Sequence, residues 1–158
     1  MTTRVLTYTK FALLTATVGL ASLPANAATR TVAGTICQSE NDRQKVTFNS
    51  DGAVQARSGQ RVELRCPLVL DNEGGGEVNV TLAVRKDKPQ GRNLTCTLRS
   101  VDTFGGSFQR DRVAVRDKGN QLASFDSIEF VEGGTVFLDC RLAEQDKVYL
   151  IEYSTDSE

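Results

Sequence analysis

The chain has 158 residues, of which 19 are basic and 20 are acidic, for a formal net charge of −1. This length is typical of a single domain, and the absence of a basic excess argues against nucleic acid or another polyanion as a partner. The chain contains no histidine, which excludes a Ser-His-Asp or Cys-His catalytic set in its usual form.

Residues 1–27 have the pattern of a signal peptide. A basic start with Arg4 and Lys10 precedes an apolar stretch and a small-x-small site that ends at Ala27. The apolar stretch is too short for a transmembrane helix, and no later stretch is apolar enough to span a bilayer. We therefore predict a bacterial exported protein, periplasmic or extracellular, with a single domain over residues 28–158 and no membrane span after signal removal.

The remainder of the chain consists of short alternating runs separated by turn residues, and helical periodicity is nearly absent. Strands are predicted at 31–37, 45–49, 53–57, 61–66, 77–85, 93–100, 112–117, 121–130, 135–142 and 147–153. Asp51-Gly52 predicts a hairpin turn, and Pro67 predicts a bend or strand end. The fold class is an all-β, two-sheet antiparallel β-sandwich of immunoglobulin-like or jelly-roll type, with a closed barrel as the alternative.

Four cysteines, Cys37, Cys66, Cys96 and Cys140, predict that the sandwich is stapled by disulfides. An even number of cysteines in an exported chain favours disulfides, whereas the wide spacings and the lack of histidine argue against a zinc site. Three pairings are possible. We favour Cys96–Cys140, whose members both lie on apolar strand faces, together with Cys37–Cys66, whose members both end strands. Closing the 44-residue loop stabilises the fold by about 3–4 kcal/mol in the chain-entropy model.

Several short motifs resemble a loosely defined group of small exported bacterial proteins of unknown function. They are Cys66-Pro67-Leu68-Val69, the strand 78–84, Cys96-Thr97-Leu98, the run 136–142 and the closing Ile151-Glu152-Tyr153. The resemblance covers most of the chain after the signal peptide. It implies a β-rich exported domain and supplies no activity.

No catalytic residue, metal site or cofactor is predicted. A glycosidase requires two carboxylates flanking a cleft, and the candidates are Asp111, Asp126, Glu129 and Asp139. Nothing in their spacing selects a pair, so we expect them on the solvated face of the sandwich. The loop 71–77 carries acidic residues and glycines that suit calcium, but a plain hairpin loop is the preferred interpretation.

Six residues are candidate ligand contacts: Arg85, Lys86, Lys88, Arg92, Tyr149 and Tyr153. The four basic residues surround Pro89 and either contact an anionic surface, such as lipopolysaccharide or an acidic glycan, or form a solvated turn. The two tyrosines share one parity of a strand that is apolar on both faces. Because such strands are usually central and buried, we expect the tyrosines in the core rather than in a stacking platform for sugar rings.

The sequence as a whole predicts a monomeric, non-enzymatic binding or structural module with no identified ligand. The candidate partners are a surface glycan or another exported protein. A periplasmic inhibitor or stress-protective protein is the first alternative, in which a protruding loop at 86–92 or 102–111 contacts the target. A small glycan hydrolase is the second alternative, and it would require a concave cluster of acidic residues.

Overall fold

The computed structural model describes residues 28–40, 45–70, 74–88 and 93–156, so the predicted signal peptide lies outside the described residues. The described residues form twelve strands and one 3₁₀ turn. The strands are β1 (Ala28–Ala33), β2 (Gln38–Ser39), β3 (Val46–Phe48), β4 (Val54–Ala56), β5 (Val62–Leu68), β6 (Gly76–Lys86), β7 (Leu94–Val101), β8 (Ser107–Val115), β9 (Gly119–Ser124), β10 (Ile128–Phe130), β11 (Thr135–Leu142) and β12 (Lys147–Asp156). This part of the chain contains no helix with the length and apolar character needed to cross a membrane.

The strands form two antiparallel sheets. In the first sheet, β6 and β12 are central: β9 and β10 pair with β6, β1 and β4 pair with β12, and β3 pairs with β4. The second sheet has the order β2-β5-β11-β7-β8. This arrangement confirms the predicted all-β, two-sheet antiparallel sandwich.

The core lies between the two sheets and is built by strict alternation along the longest strands. Every second residue of β6, β7 and β11 is buried. Leu82 and Ile151 from the first sheet, and Leu98 and Leu138 from the second, are fully buried. Each such side chain contributes about 2 kcal/mol on transfer from water to the interior, so the alternation that predicts the strands also drives the two layers together.

Both predicted disulfides are confirmed, and both belong to the second sheet. Cys96 on β7 and Cys140 on β11 are direct register partners, with 4.1 Å between their Cα atoms. Cys37 precedes β2 and is bonded to Cys66 on β5. The bridges therefore fasten neighbouring strands of one layer rather than joining the two layers to each other.

The predicted strand 31–37 ends early, at Ala33, and the chain enters the 3₁₀ turn Gly34–Ile36. Gly34 lies directly against β12, so close that an added Cβ would be 2.2 Å from the carbonyl oxygen of Val148. Only glycine fits at that distance, and the close approach turns the chain away from the first sheet toward β2 in the second.

Other boundaries also differ from the sequence predictions, and β8 begins at Ser107 rather than at residue 112. The predicted strand end at Pro67 is wrong, because β5 continues through this residue, which pairs with Phe137. Proline is tolerated there because β2 pairs only with Leu64 and Arg65 on the other side of β5, so no ladder bond is lost. The predicted strand 121–130 is two strands, since both β9 and β10 pair with β6 at separate places.

Candidate functional site

The outer face of the second sheet carries rows of polar and charged side chains. The register aligns them in rows across the strands: Glu63–Arg141–Thr95–Ala114, then Gln38–Arg65–Asp139–Thr97–Arg112, then Pro67–Phe137–Arg99–Arg110. Side chains on successive rows are two residues apart along each strand and therefore point to the same side. The face is consequently a two-dimensional array with arginines on four of its five strands.

Within this array lies a depression that we call the arginine trough. It consists of two adjoining parts of about 720 Å³ and about 310 Å³, which share Glu63, Thr95, Arg112 and Arg141 as lining residues. The short side chain of Thr97 on β7 lies between the longer side chains of Arg112 on β8 and Asp139 on β11, and Thr95 lies between Ala114 and Arg141. The trough follows β7 from Asn93 to Arg99, which corresponds to about 20 Å of extended chain.

The trough contains more basic than acidic side chains. Its basic residues are Lys45, Arg61, Arg65, Arg99, Arg112 and Arg141, and its acidic residues are Glu40, Glu63 and Asp139. Its charge is therefore positive although the chain as a whole has a net charge of −1. None of the six basic residues belongs to the basic cluster that the sequence singled out.

Ion pairs hold three of the arginines in place. Arg65 binds Glu40 and lies 3.0 Å from the Oδ1 atom of Asp139, and Arg99 binds the other carboxylate oxygen of Asp139. The hydrogen bond to Asp139 raises the pKa of Arg65 above its usual value. On the next row, Arg141 pairs with Glu63 at 2.8 Å. These contacts fix the guanidinium groups in defined orientations, although exposed pairs of this kind add little stability.

Next to the trough, the outer face has a small apolar patch formed by Phe137 and Pro67. These residues line a further depression together with Arg65 and the β2 segment. The Arg65 guanidinium lies 5.5 Å from the centre of the Phe137 ring, within range of a cation–π contact. A half-buried aromatic ring beside hydrogen-bonding groups suits a ligand with both apolar and polar faces.

The predicted basic cluster is not a single surface. Lys86 is fully buried at the end of β6, so the expectation of a solvated turn is wrong for this residue. Lys88 is exposed and binds Glu144 at 2.7 Å, and this hydrogen bond is the main cause that lowers the pKa of Glu144 to about 2. Arg85 is exposed on the outer face of the first sheet. Arg92, with the rest of the loop 89–92, lies outside the described residues.

Lys86 is buried next to a second buried charge, Asp146, in the turn between β11 and β12. Burial raises the pKa of Asp146, while backbone hydrogen bonds and the charge of Lys86 act in the opposite direction. The two carboxylate oxygens accept hydrogen bonds of 3.0 Å from the backbone N–H groups of Asp87 and Ala143. This arrangement joins β6 to the turn that connects the two sheets, and its role is structural.

The two tyrosines do not share a strand face. A register shift between Val148 and Leu150 places one extra residue in β12, which reverses the alternation. Tyr153 is buried, as expected, and its hydroxyl donates to the carbonyl oxygen of Val69 at 2.9 Å. Tyr149 is half-buried and contacts Lys147 through its ring. The pair therefore forms no stacking platform.

The four candidate carboxylates are not gathered at one cleft. Asp126 and Glu129 are exposed, as expected, and Asp111 accepts a hydrogen bond from the backbone of Asp126 at 2.9 Å. Asp111 pairs with Leu98 and Asp139 with Thr97, so these two acids lie on opposite faces of the second sheet. Asp139 is held in ion pairs with Arg65 and Arg99. In the described ranges, no group of three or more acidic or cysteine side chains is suitably placed to hold a metal ion.

The arginine trough could not be predicted from the sequence, because its residues come from separate strands. Arg65, Arg99, Arg112 and Arg141 are far apart in the chain and become neighbours only through sheet pairing. A signal was present, since each of these arginines occupies an outward position of an alternating strand. Outward arginines are common on soluble sandwiches, so no single one of them indicates a site. Only the strand order shows that these four are neighbours.

No protein-family model matches the sequence, and no curated protein matches it. Among solved structures, the fold is similar to that of the C-terminal CBM6 of LamC, a marine laminarinase from Zobellia galactanivorans. The TM-score is 0.54 at 9% identity, over 81% of this chain and 100% of that one.

Two further solved structures give lower scores. The family 35 carbohydrate binding module from Clostridium thermocellum has a TM-score of 0.49 at 9% identity, over 82% of this chain and 100% of that one. The Podospora anserina GH26-CBM35 β-(1,4)-mannanase has a TM-score of 0.49 at 8% identity, over 82% of this chain and only 28% of that one. At identities this low, what the comparison establishes is the shared β-sandwich fold.

Proposed function

We propose that this protein is an exported, non-enzymatic binding module that holds an extended glycan chain in the arginine trough. The observation that carries the proposal is the trough itself, an open depression about 20 Å long along β7 on the outer face of a crosslinked sheet. Threonine hydroxyls and ion-paired guanidinium groups point into it, and such groups bind sugar hydroxyls. Since they are already ordered, a ligand immobilises few side chains when it binds.

Two further observations support this function. The sandwich is similar in fold to a carbohydrate-binding module from a laminarinase, although fold alone does not determine function. The carboxylates of the trough, Glu40, Glu63 and Asp139, are all engaged by arginines. Glycoside hydrolysis requires one carboxylic acid that gives its proton to the leaving oxygen. With every carboxylate of the trough in an ion pair, binding is favoured over hydrolysis.

The experiment is a glycan-binding screen of the purified, oxidised protein with two matched tryptophan variants. Thr97→Trp places an indole on the floor of the trough, and tryptophan is well accepted in strands. Thr81→Trp makes the same change at a half-buried position on β6, on the outer face of the first sheet. We expect Thr97→Trp to abolish binding and Thr81→Trp to preserve it. A protein that binds no glycan, or two variants that behave alike, would contradict the proposal.

A second candidate function, contact with an exported protein, is favoured by one observation. Phe104 is 97% exposed at the tip of the turn between β7 and β8. The carboxylate of Asp102 accepts hydrogen bonds from the backbone N–H groups of Phe104 and Gly106, at 2.9 Å and 2.7 Å, which stiffens the turn. The protruding loop predicted at 102–111 is thus confined to 102–106, because β8 begins at Ser107.

An inhibitor would use this turn as a rigid, apolar projection into a target. A panel of purified muramidases and proteases can be assayed with the wild-type protein and with Phe104→Ala. Inhibition that disappears in Phe104→Ala and persists in Thr97→Trp would favour this function over glycan binding. Absence of inhibition across the panel would leave the trough as the functional surface.

A further inference from the structure

The basic residues of the trough divide into two groups. Arg65, Arg99 and Arg141 are neutralised by the three carboxylates of the trough. Within residues 28–40, 45–70, 74–88 and 93–156, the charged groups of Lys45, Arg61 and Arg112 make no ion pair or side-chain hydrogen bond. We call these three residues the open cations. They account for the whole positive excess of the trough.

The open cations lie around one volume. All three line the larger part of the trough, about 720 Å³, although Lys45 precedes β3, Arg61 precedes β5 and Arg112 lies on β8. The acidic residue that lines this part is Glu63, which is held by Arg141 at 2.8 Å. Three positive charges therefore border the same depression without an acidic partner among the described residues, and an anion that joins them relieves their mutual repulsion.

From this geometry we propose that the larger part of the trough binds the anionic group of an acidic polysaccharide, a carboxylate or a sulfate. The inference rests on the proposed function, since it identifies the class of glycan that the trough selects. Planar guanidinium groups bind such oxyanions through paired, charge-assisted hydrogen bonds. The ion-paired arginines and Thr95 then contact the neutral hydroxyls of the same chain.

The net charge of the sequence argues against a polyanionic ligand, but net charge conceals how the charges are distributed. On the first sheet, Glu129, Glu77 and Asp156 occupy one row across β10, β6 and β12, where like charges are direct neighbours. A row of acidic residues thus lies on one layer of the sandwich, and the open cations lie on the other. The field at the trough is positive although the molecule carries a net charge of −1.

A polysaccharide suits these cations better than a nucleic acid does. Binding to duplex DNA requires many phosphate contacts, and each contact releases counterions. Three cations around one depression match a ligand with widely spaced charges, whose intervening sugar units are neutral. The negative charge elsewhere on the molecule would repel a dense polyanion as it wraps over the surface.

The test compares four purified proteins: the wild type, Arg112→Gln, Arg112→Lys and the control Arg85→Gln on the first sheet. Titration calorimetry uses hyaluronate as the carboxylate probe and κ-carrageenan as the sulfate probe, because both alternate a charged sugar unit with a neutral one. A neutral β-glucan and duplex DNA complete the set. Arg112 is exposed on the edge strand β8, so its replacement leaves folding intact, which thermal unfolding checks.

We expect the wild type to bind one acidic polysaccharide at least roughly tenfold more tightly than the neutral glucan, and to lose that preference at high salt. Arg112→Gln weakens acidic binding by roughly tenfold, as loss of a charged hydrogen bond predicts. Arg112→Lys restores part of the affinity, and Arg85→Gln changes nothing. The carboxylate and sulfate probes show which oxyanion is preferred.

The other outcomes separate the two proposals. Equal binding of neutral and acidic glycans, insensitive to Arg112, overturns the anionic inference and leaves the glycan-binding function in place. The inference is also overturned if Arg112→Gln and Arg85→Gln lose the same affinity for the acidic polysaccharide. It is overturned as well if the protein binds DNA more tightly than any polysaccharide. Failure to bind any of the polysaccharides removes the proposed function as well.

Discussion

The two sheets differ in what their outer faces carry. Across the first sheet runs an apolar row, Leu122–Ala83–Leu150–Ala33, in register on β9, β6, β12 and β1. Leu122 is 76% exposed and Leu150 is 44% exposed. Across the second sheet run rows of arginines, carboxylates and threonines. Both faces are built from the same in–out alternation, so alternation alone does not decide which layer has a polar, trough-bearing surface.

The sheets also differ in how they are held together. The second sheet contains both disulfides and a ladder of ion pairs, whereas the first relies on the long pairing of β6 with β12 and on the apolar core. A face that gathers several arginines experiences repulsion between like charges. The Cys96–Cys140 bridge joins β7 to β11, the strands that carry Arg99 and Arg141, and it holds their register against that repulsion.

The largest expected effect comes from removing the bridge at the centre of the second sheet. Cys96→Ala with Cys140→Ala should lower the free energy of unfolding by about 4 kcal/mol, because a 44-residue loop is released in the unfolded chain. Cys37→Ala with Cys66→Ala, which releases a loop of 29 residues, should cost slightly less. Denaturant titration measures both double variants.

The same variants also test whether the second sheet depends on the Cys96–Cys140 bridge more than the first sheet does. Hydrogen exchange should show a larger loss of protection in β7 and β11 than in β6 and β12 after removal of Cys96–Cys140. Equal loss in both sheets would mean that the bridge stabilises the whole sandwich and that the second sheet has no special dependence on it.

The next largest effect concerns the polar link between the layers. Asp146→Asn keeps the shape of the side chain but replaces one acceptor oxygen with a donor, so one backbone N–H, of Asp87 or Ala143, loses its partner. We expect a loss of about 2 kcal/mol in the free energy of unfolding. Asp117→Asn, in an exposed turn, is the matched control. A loss no larger than that of the control would show that the link is dispensable.

A smaller effect distinguishes the two outer faces. Asp139→Asn releases Arg65 and Arg99 from their shared carboxylate and should cost about 1 kcal/mol in stability. It also raises the positive charge of the trough, so affinity for an acidic polysaccharide should increase. Glu152→Gln makes a comparable change on the outer face of the first sheet, and it should alter neither property. Calorimetric titration together with thermal unfolding of both variants tests this contrast.

The smallest effect is a pH dependence in the turn that links the sheets. Hydrogen bonds from Lys88 and Ser58 and the backbone of Gly59 lower the pKa of Glu144 to about 2. A lowered pKa in the folded state means that the stabilisation is present above the ordinary glutamate value and is lost as the pH falls toward 2. Glu144→Gln should therefore flatten part of the acid side of the melting-temperature profile.

The control for this prediction is Glu132→Gln, whose exposed side chain makes no ion pair in the part of the chain that the structure describes. Its acid-side profile should follow that of the wild type. If the profile of Glu144→Gln also follows the wild type, the contact with Lys88 is too exposed to contribute to stability.

The longest strands and the favoured disulfide pairing could be predicted from the sequence. Burial of every second side chain is a local property of a strand, so the β6, β7 and β11 patterns could be read without knowing their neighbours. The pairing of Cys96 with Cys140 was predictable because both occupy inward positions of alternating strands. The break between β9 and β10 was readable in principle, since the buried residues change parity between Phe125 and Ile128.

The position of the trough, and the burial or exposure of the predicted contact residues, depend on the tertiary structure. Which outward residues become neighbours depends on strand order and register, and these follow from packing of the whole sandwich rather than from any single strand. One extra residue in β12 separated Tyr149 from Tyr153, and the end of β6 buried Lys86 beside Asp146. Local alternation fixes the side toward which a residue points, and only the assembled sheets fix which side chains it meets there.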